Sequence, residues 1–404
     1  MTEKPVQRFS PNNGECKIYS SIAEAARENK VNESSVRRAI KYGRKTLGYD
    51  WSYLTNVNDN ENSIDEFDSH LLKLGISKEE VSSVKFWQTQ SGEIRYSVVK
   101  NRSEEDSLDE RFRKLEETLS KTVKPEIIPY SGTSATNKAL LIHSSDKHVG
   151  AMTSSDSMYK NPYDAEEFEN RMNHILEEIE YQVEIHGKFD LLLFSDLGDG
   201  LDGLDGYTLR RTHKLEQNMT NNEMFDVYVK VHLKFFDRLM RMNAANKVAF
   251  YATADDNHSG AFGYAANRAL EIYLNLKYPQ IETKIIKQFI GHFMYGNHAV
   301  LLCHGKDRKH RKFGLPLTLD DKTINFINDY IQYNKLESNT VHFIKGDKHQ
   351  SASQLCKFFR YRSVLSLHGG GSWTHNNHGN TKGGISYDII EKYGDRVQEV
   401  NITF

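Results

Sequence analysis

Five short polar clusters stand in the last two-thirds of this 404-residue chain. They are Asp146-Lys147-His148, Gly198-Asp199-Gly200-Leu201-Asp202, Asn257-His258, the lone His304, and Gly346-Asp347-Lys348-His349. Together they offer carboxylates, imidazoles and an amide oxygen, the hard and borderline donors suited to divalent Mn, Fe or Zn. Buried clusters of this kind are costly without a cation to share their charge. The chemistry they point to is that of a metal centre.

Such a centre needs elements that bring distant donors together. Each cluster follows an apolar run of strand type: Ala139–Ile142, Asp190–Phe194, Val248–Tyr251, Ala299–Leu302 and Val341–Ile344. Helical stretches lie between them, at Ala165–Val183, Asn222–Met242 and Ala265–Leu276. Strand–loop–helix alternation predicts an α/β layered domain with its ligands at strand ends. His143, His298 and His342 fall inside the strands and read as packed core histidines.

At 38% hydrophobic and 27% charged, with 21 Tyr and 20 Phe, the composition is that of a folded chain. Net charge is −2, so any argument for nucleic acid must come from local patches. The three scattered cysteines, Cys16, Cys303 and Cys356, form no metal motif and suggest a reducing compartment. With no apolar signal core and no run of membrane-spanning length, the expected location is cytoplasmic.

The ordered clusters resemble the blocks of the calcineurin-like metallophosphoesterase superfamily: DxH, GDxxD, GNH, a lone His, and GHxH. The likeness covers roughly residues 138–404. It looks closest to phage-type members and, more distantly, to the SbcD-like nuclease branch. It implies an α/β four-layer metallophosphoesterase sandwich, two facing mixed sheets flanked by helices, with two metals sharing an Asp. Carried over, Asp146, His148 and His349 match ligands of one metal, and Asn257 and His304 match ligands of the other. Asp199 matches the bridging carboxylate and is preferred to Asp196, because Gly198 precedes it and Asp202 completes GDxxD. His258 matches the proton donor to the leaving oxygen, a role apt for imidazole. The implied reaction is hydrolysis of a phosphodiester by hydroxide activated between the two metals.

Two positions depart from the pattern. Asp347 replaces the first His of GHxH; as a carboxylate ligand it would favour Mn or Mg over Zn. Asp256 replaces the Gly of GNH and is expected to orient His258 or raise its pKa. Asp202 reads as a loop brace. Near the blocks, Arg210, Arg211, Lys306 and Arg308 are candidates for substrate phosphates, and Trp373 for stacking on a base; solvated surface loops are the alternative.

Residues 1–56 hold ten Lys and Arg against six Asp and Glu. They read as a short helix, a turn and a second helix with a cationic face, followed by a strand. Tyr19–Ala26, Ser34–Ile40 and Gly48–Trp51 resemble NUMOD-type helix-turn-helix modules, which implies DNA as partner. Ser34, Ser35, Arg37, Arg38 and Lys41 would meet the groove and its phosphates. Residues 57–102 read as a small α+β module of unassigned role, 103–137 as a charged helix and linker, and 138–404 as the metallophosphoesterase domain. The combination predicts a Mn-dependent DNA nuclease of phage or mobile-element type, working in the host cytoplasm, with a homodimer allowed by the resemblance. The alternatives are a small-nucleotide phosphodiesterase or phosphoprotein phosphatase, and a DNA-binding regulator with a vestigial metal site.

Overall fold

The structure, a computed structural model, describes residues 6–9, 16–42, 45–53, 71, 81–88, 94–100, 108–128, 136–156, 160–209, 214–307, 309–310, 313–371, 374–375 and 382–404. The chain divides into two compact units, Met1–Ser107 and Leu108–Phe404.

In the first unit, β1 (Val6–Phe9) pairs antiparallel with β2 (Cys16–Tyr19) on one side. Helices α1 (Ile22–Glu28) and α2 (Glu33–Tyr42) follow, and β3 (Asp50–Tyr53) returns to the other side of β1. Ser21 caps α1 by accepting the Glu24 backbone N–H at 3.1 Å. Ile22, Ala25, Ala26, Val36 and Ala39 face Val6, Tyr19 and Trp51 in one small core. The helix pair therefore leans on a three-stranded sheet; β1 and β2, four residues each, are too short to announce themselves by periodicity. Ser34, Arg37, Arg38 and Lys41 are exposed on α2, and Ser35 is half-buried. A hairpin of β4 (Val81–Gln88) and β5 (Ile94–Lys100) also belongs to this unit. Within residues 57–102, whose sequence suggests a helix near residues 64–74, that stretch lies, but for Leu71, outside the described residues.

The second unit opens with α3 (Leu108–Leu119) and β6 (Lys138–Ser144). It continues through α4 (Ala165–His186), β7 (Phe189–Asp196), α5 (Asn221–Met242), β8 (Ala245–Thr253), α6 (Ala261–Lys277) and β9 (Glu282–Ile286). Next come β10 (Gly291–Tyr295), β11 (His298–Cys303), α7 (Asp321–Tyr333) and β12 (Thr340–Lys345). The last strands are β13 (Ala352–Leu355), β14 (Arg360–Ser363), β15 (Gly384–Glu391) and β16 (Val397–Thr403). One sheet has the order β16-β15-β6-β7-β8-β9 and the other β10-β11-β12-β14-β13. Strands β6 to β9 run parallel, as do β11, β12 and β14; the remaining strands are antiparallel.

Side-chain alternation along each strand explains the layering. On β6, Leu140 and Ile142 point to a core with α4, α5 and α6, built on Phe168, Ile175, Phe236 and Leu270. Ala139 and Leu141 point the other way and meet Val300, Leu302 and Ile344 of the second sheet. That sheet turns Leu301 and Phe343 outward onto Ile327 and Ile331 of α7. The result is a four-layer α/β sandwich of two facing mixed sheets, helices outside. Among the described residues no helix is long and apolar enough to cross a membrane.

Candidate metal centre

The loops leaving β6, β7, β8, β11 and β12 carry the five clusters, so parallel strands aim their carboxyl ends at one place. The first two loops are laced by backbone hydrogen bonds: Asp146 N–H to Gly198 O at 3.0 Å and His148 N–H to Asp199 O at 2.9 Å. Asp146, His148, Asp199, Asp347 and His349 all have φ between 47° and 73°. Among the described residues only eleven non-glycines have positive φ, and these clusters supply five of them. Left-handed backbone at non-glycine residues costs free energy and persists where surrounding contacts fix it. At Gly198, φ is 96° and an added Cβ would come within 2.9 Å of the His304 ring, so the turn needs glycine.

Ring orientation shows what the centre can hold. His148 places Nδ1 3.0 Å from Asp202 Oδ1, and His349 places Nδ1 2.6 Å from the Gly369 carbonyl. With both Nδ1 atoms donating, both Nε2 atoms carry lone pairs, yet they face each other at 3.3 Å. Asp146 Oδ1 lies 3.3 Å from His349 Nε2 and 3.9 Å from His148 Nε2, buried and without a hydrogen-bond partner. In His304, Nδ1 donates to Leu197 O at 2.7 Å, and Nε2 carries the proton that meets Asn257 Oδ1 at 3.0 Å and Asp199 Oδ2 at 3.1 Å, the place a cation would take. Lone pairs and anionic oxygens converging in a buried space fit a cation. Asp146, His148 and His349 form one candidate metal group, and Asp146, Asp199 and His304 another that shares Asp146.

Charge in the pocket follows the same logic. Burial alone would raise the Asp146 and Asp199 carboxyls, but the neighbouring imidazoles hold both below the ordinary carboxylate value. Burial opposes a charged His304, yet Asp199 beside it, with Asp146 and Asp347 beyond, lifts its pKa to about 10. His258 is likewise raised against its burial by Asp199 and Asp202.

Asp202 stands behind the rings. Its Oδ1 is 3.0 Å from His148 Nδ1, which it orients, and 3.4 Å from His258 Nδ1, an ion-pair distance; His258 Nε2 is left 3.9 Å from Asp199. Asp202, His148 and His258 also make a third group with metal-ligand spacing, but the oxygen meets His148 on the Nδ1 side, away from Nε2. Asp256 is buried and fully engaged. It accepts the backbone N–H groups of His258 at 3.1 Å, Ser259 at 2.6 Å, Gly260 at 2.9 Å and Asp199 at 3.1 Å. Burial and the Asp199 charge raise its pKa to about 6. It fastens the Asn257-His258 turn to the Asp199 loop through main-chain atoms.

Asp196 faces elsewhere, paired with Lys147 at 2.8 Å and accepting the Tyr228 hydroxyl. The Asp347 carboxylate lies 3.2 Å from Lys348 Nζ and 4.0 Å from Lys306 Nζ, and it joins none of the three ligand groups. Its backbone N–H donates to Asp146 Oδ2 at 3.1 Å. Arg210, Arg211, Arg308 and Trp373 lie outside the described residues. His368 also borders the centre: it packs against His148 at 5.5 Å between ring centroids and lies 3.1 Å from Thr153 Oγ1.

No protein-family model matches the sequence, and no curated protein matches it. Solved structures do align with it. Zn-complexed Vps29 from Entamoeba histolytica is 12% identical, over 65% of this chain and 98% of its own, with a TM-score of 0.29. An archaeal phosphodiesterase is 9% identical over 65% of this chain and 99% of its own, also at 0.29. Vacuolar protein sorting 29 from Cryptosporidium parvum is 9% identical over 66% of this chain and 99% of its own, at 0.27.

Proposed function

We propose that the chain is a divalent-metal-dependent phosphodiesterase of calcineurin-like type, and that its substrate is DNA. The observation that carries the hydrolase reading is the pair of His148 and His349 lone pairs facing each other at 3.3 Å beside the unpartnered Asp146 oxygen. Asp146, His148 and His349 would hold one cation, and Asp199, Asn257 and His304 the other. When bound, such a pair supplies Lewis acidity and a water of lowered pKa. The sulfur-free donor set of two carboxylates, three imidazoles and an amide oxygen admits Mn, with Mg, Fe and Zn as competitors. His258, whose pKa Asp199 and Asp202 raise against its burial, would donate its Nε2 proton to the leaving oxygen.

The DNA reading is supported by α2, whose Ser34, Arg37, Arg38 and Lys41 are exposed beside half-buried Ser35. The test has two parts. Mn-dependent cleavage of bis-p-nitrophenyl phosphate should vanish in Asp199→Asn; retained turnover rejects the metal mechanism. Replacing Arg37, Arg38 and Lys41 by Ala should weaken DNA binding and flatten its salt dependence while leaving that cleavage intact. Unchanged DNA affinity rejects the tethering role. A panel of duplex DNA, single strands and cyclic nucleotides then separates nuclease from small-nucleotide phosphodiesterase.

A further inference from the structure

We infer that the cleft running from His304 to His310 is a nucleobase subsite, seating the base of the nucleotide next to the scissile phosphate. This rests on the phosphodiesterase reading and adds a substrate class to it. The cleft is small, about 60 Å³, and His304 forms part of its wall. It therefore shares a wall residue with the cluster proposed to hold the metals.

Its far end carries an aromatic ledge. The His310 ring lies on Phe289, centroids 5.0 Å apart and planes 37° from parallel. Phe289 is anchored against the outer core of the second sheet. His310 remains 54% exposed, a high value for a ring with a fixed position. It is fixed because Asp307, itself 6% exposed, lies 2.6 Å from Nδ1 and also accepts the backbone N–H groups of Lys309 and His310. A buried carboxylate thus holds a solvent-facing π surface in place. Lys287, Lys306 and Lys309 line the same cleft. Ammonium groups beside a stacking face match a nucleotide, which pairs an aromatic ring with anionic oxygens.

The test uses the full chain with Mn present. Calorimetric titration with thymidine 5′-monophosphate and with 2-deoxyribose 5-phosphate measures what the base adds. The base should tighten binding about tenfold. That gain should disappear in His310→Ala and survive in His310→Phe, which keeps a ring, while 2-deoxyribose 5-phosphate binds all three proteins alike. Equal affinity for the two ligands in the unaltered protein, or a base preference that survives His310→Ala, overturns the subsite. Hydrolysis of methyl p-nitrophenyl phosphate, which has no base, tests the catalytic reading separately. No turnover with base-dependent binding intact would reject the hydrolase and keep the subsite; turnover without base preference would do the reverse.

Discussion

Asp202 lies directly behind His258, its Oδ1 3.4 Å from Nδ1, so that the opposite ring nitrogen is directed toward Asp199 at 3.9 Å. The same oxygen holds His148 at 3.0 Å. One carboxylate thereby touches both the ring proposed as a metal ligand and the ring proposed as proton donor. Asp202→Asn should lower both Mn affinity and kcat by about 10- to 100-fold, the range for outer partners of metal ligands. Calorimetric Mn titration alongside turnover checks this; a loss confined to one readout would show that Asp202 serves only one of the two rings.

If His258 protonates the leaving oxygen, its removal should matter in proportion to how badly that oxygen needs a proton. His258→Gln should slow release of a nucleoside alkoxide by about 10²- to 10⁴-fold. Release of p-nitrophenolate, which leaves without protonation, should fall far less. Comparing kcat for a dinucleotide and for a p-nitrophenyl diester measures the difference. Equal losses would assign His258 to binding.

Asp256 stands where the resembling family has glycine, and it ties together four main-chain N–H groups. Leaving those donors buried and unmatched is expensive. Asp256→Ala should cost about 3 kcal/mol, since a hydrogen bond to a charged group contributes about 1.5–3 kcal/mol and not all of them can be replaced by water. Urea unfolding of the chelator-treated protein gives the number.

Three buried imidazoles outside the metal centre make stability pH-dependent. Burial lowers His143 well below its usual value, His232 to about 4 and His342 to about 3. Below pH 6.5 the unfolded chain takes up protons that the folded chain refuses, so stability falls as pH falls, until each folded pKa is passed. Between pH 7 and 5, His232 alone should contribute a loss of about 2 kcal/mol. His232→Leu should remove that share of the slope, read from urea midpoints at the two pH values in the presence of EDTA.

The layered architecture was legible because strands such as β6 and β11 are continuous apolar runs and the helices between them keep a helical period. The short edge strands β9, β10 and β13 and the closing pair β15–β16 were not read, and neither was α7, whose Ile324, Ile327 and Ile331 stripe lies among polar residues. For the centre, ligand types and order could be read from the clusters. What could not be read is partnership across distance. The carbonyl of Gly369 fixing His349 and the Asp202 carboxylate fixing His148 are set by loops 20 and 54 residues away. Nor could the sequence tell that Asp347 would turn to Lys348 and Lys306, because the direction of a side chain depends on the backbone around it.

Helix α3, a charged stretch that composition assigns to a connecting segment, is docked on α6. Phe112 meets Tyr264 edge-on, Asp109 accepts the Tyr264 hydroxyl at 2.7 Å, and Glu116 pairs with Arg268 at 3.3 Å. Helix α6 begins three residues after His258. The smallest excised version of the second unit therefore has to start ahead of Leu108; a cut near residue 138 would peel a splint from the very helix that follows His258.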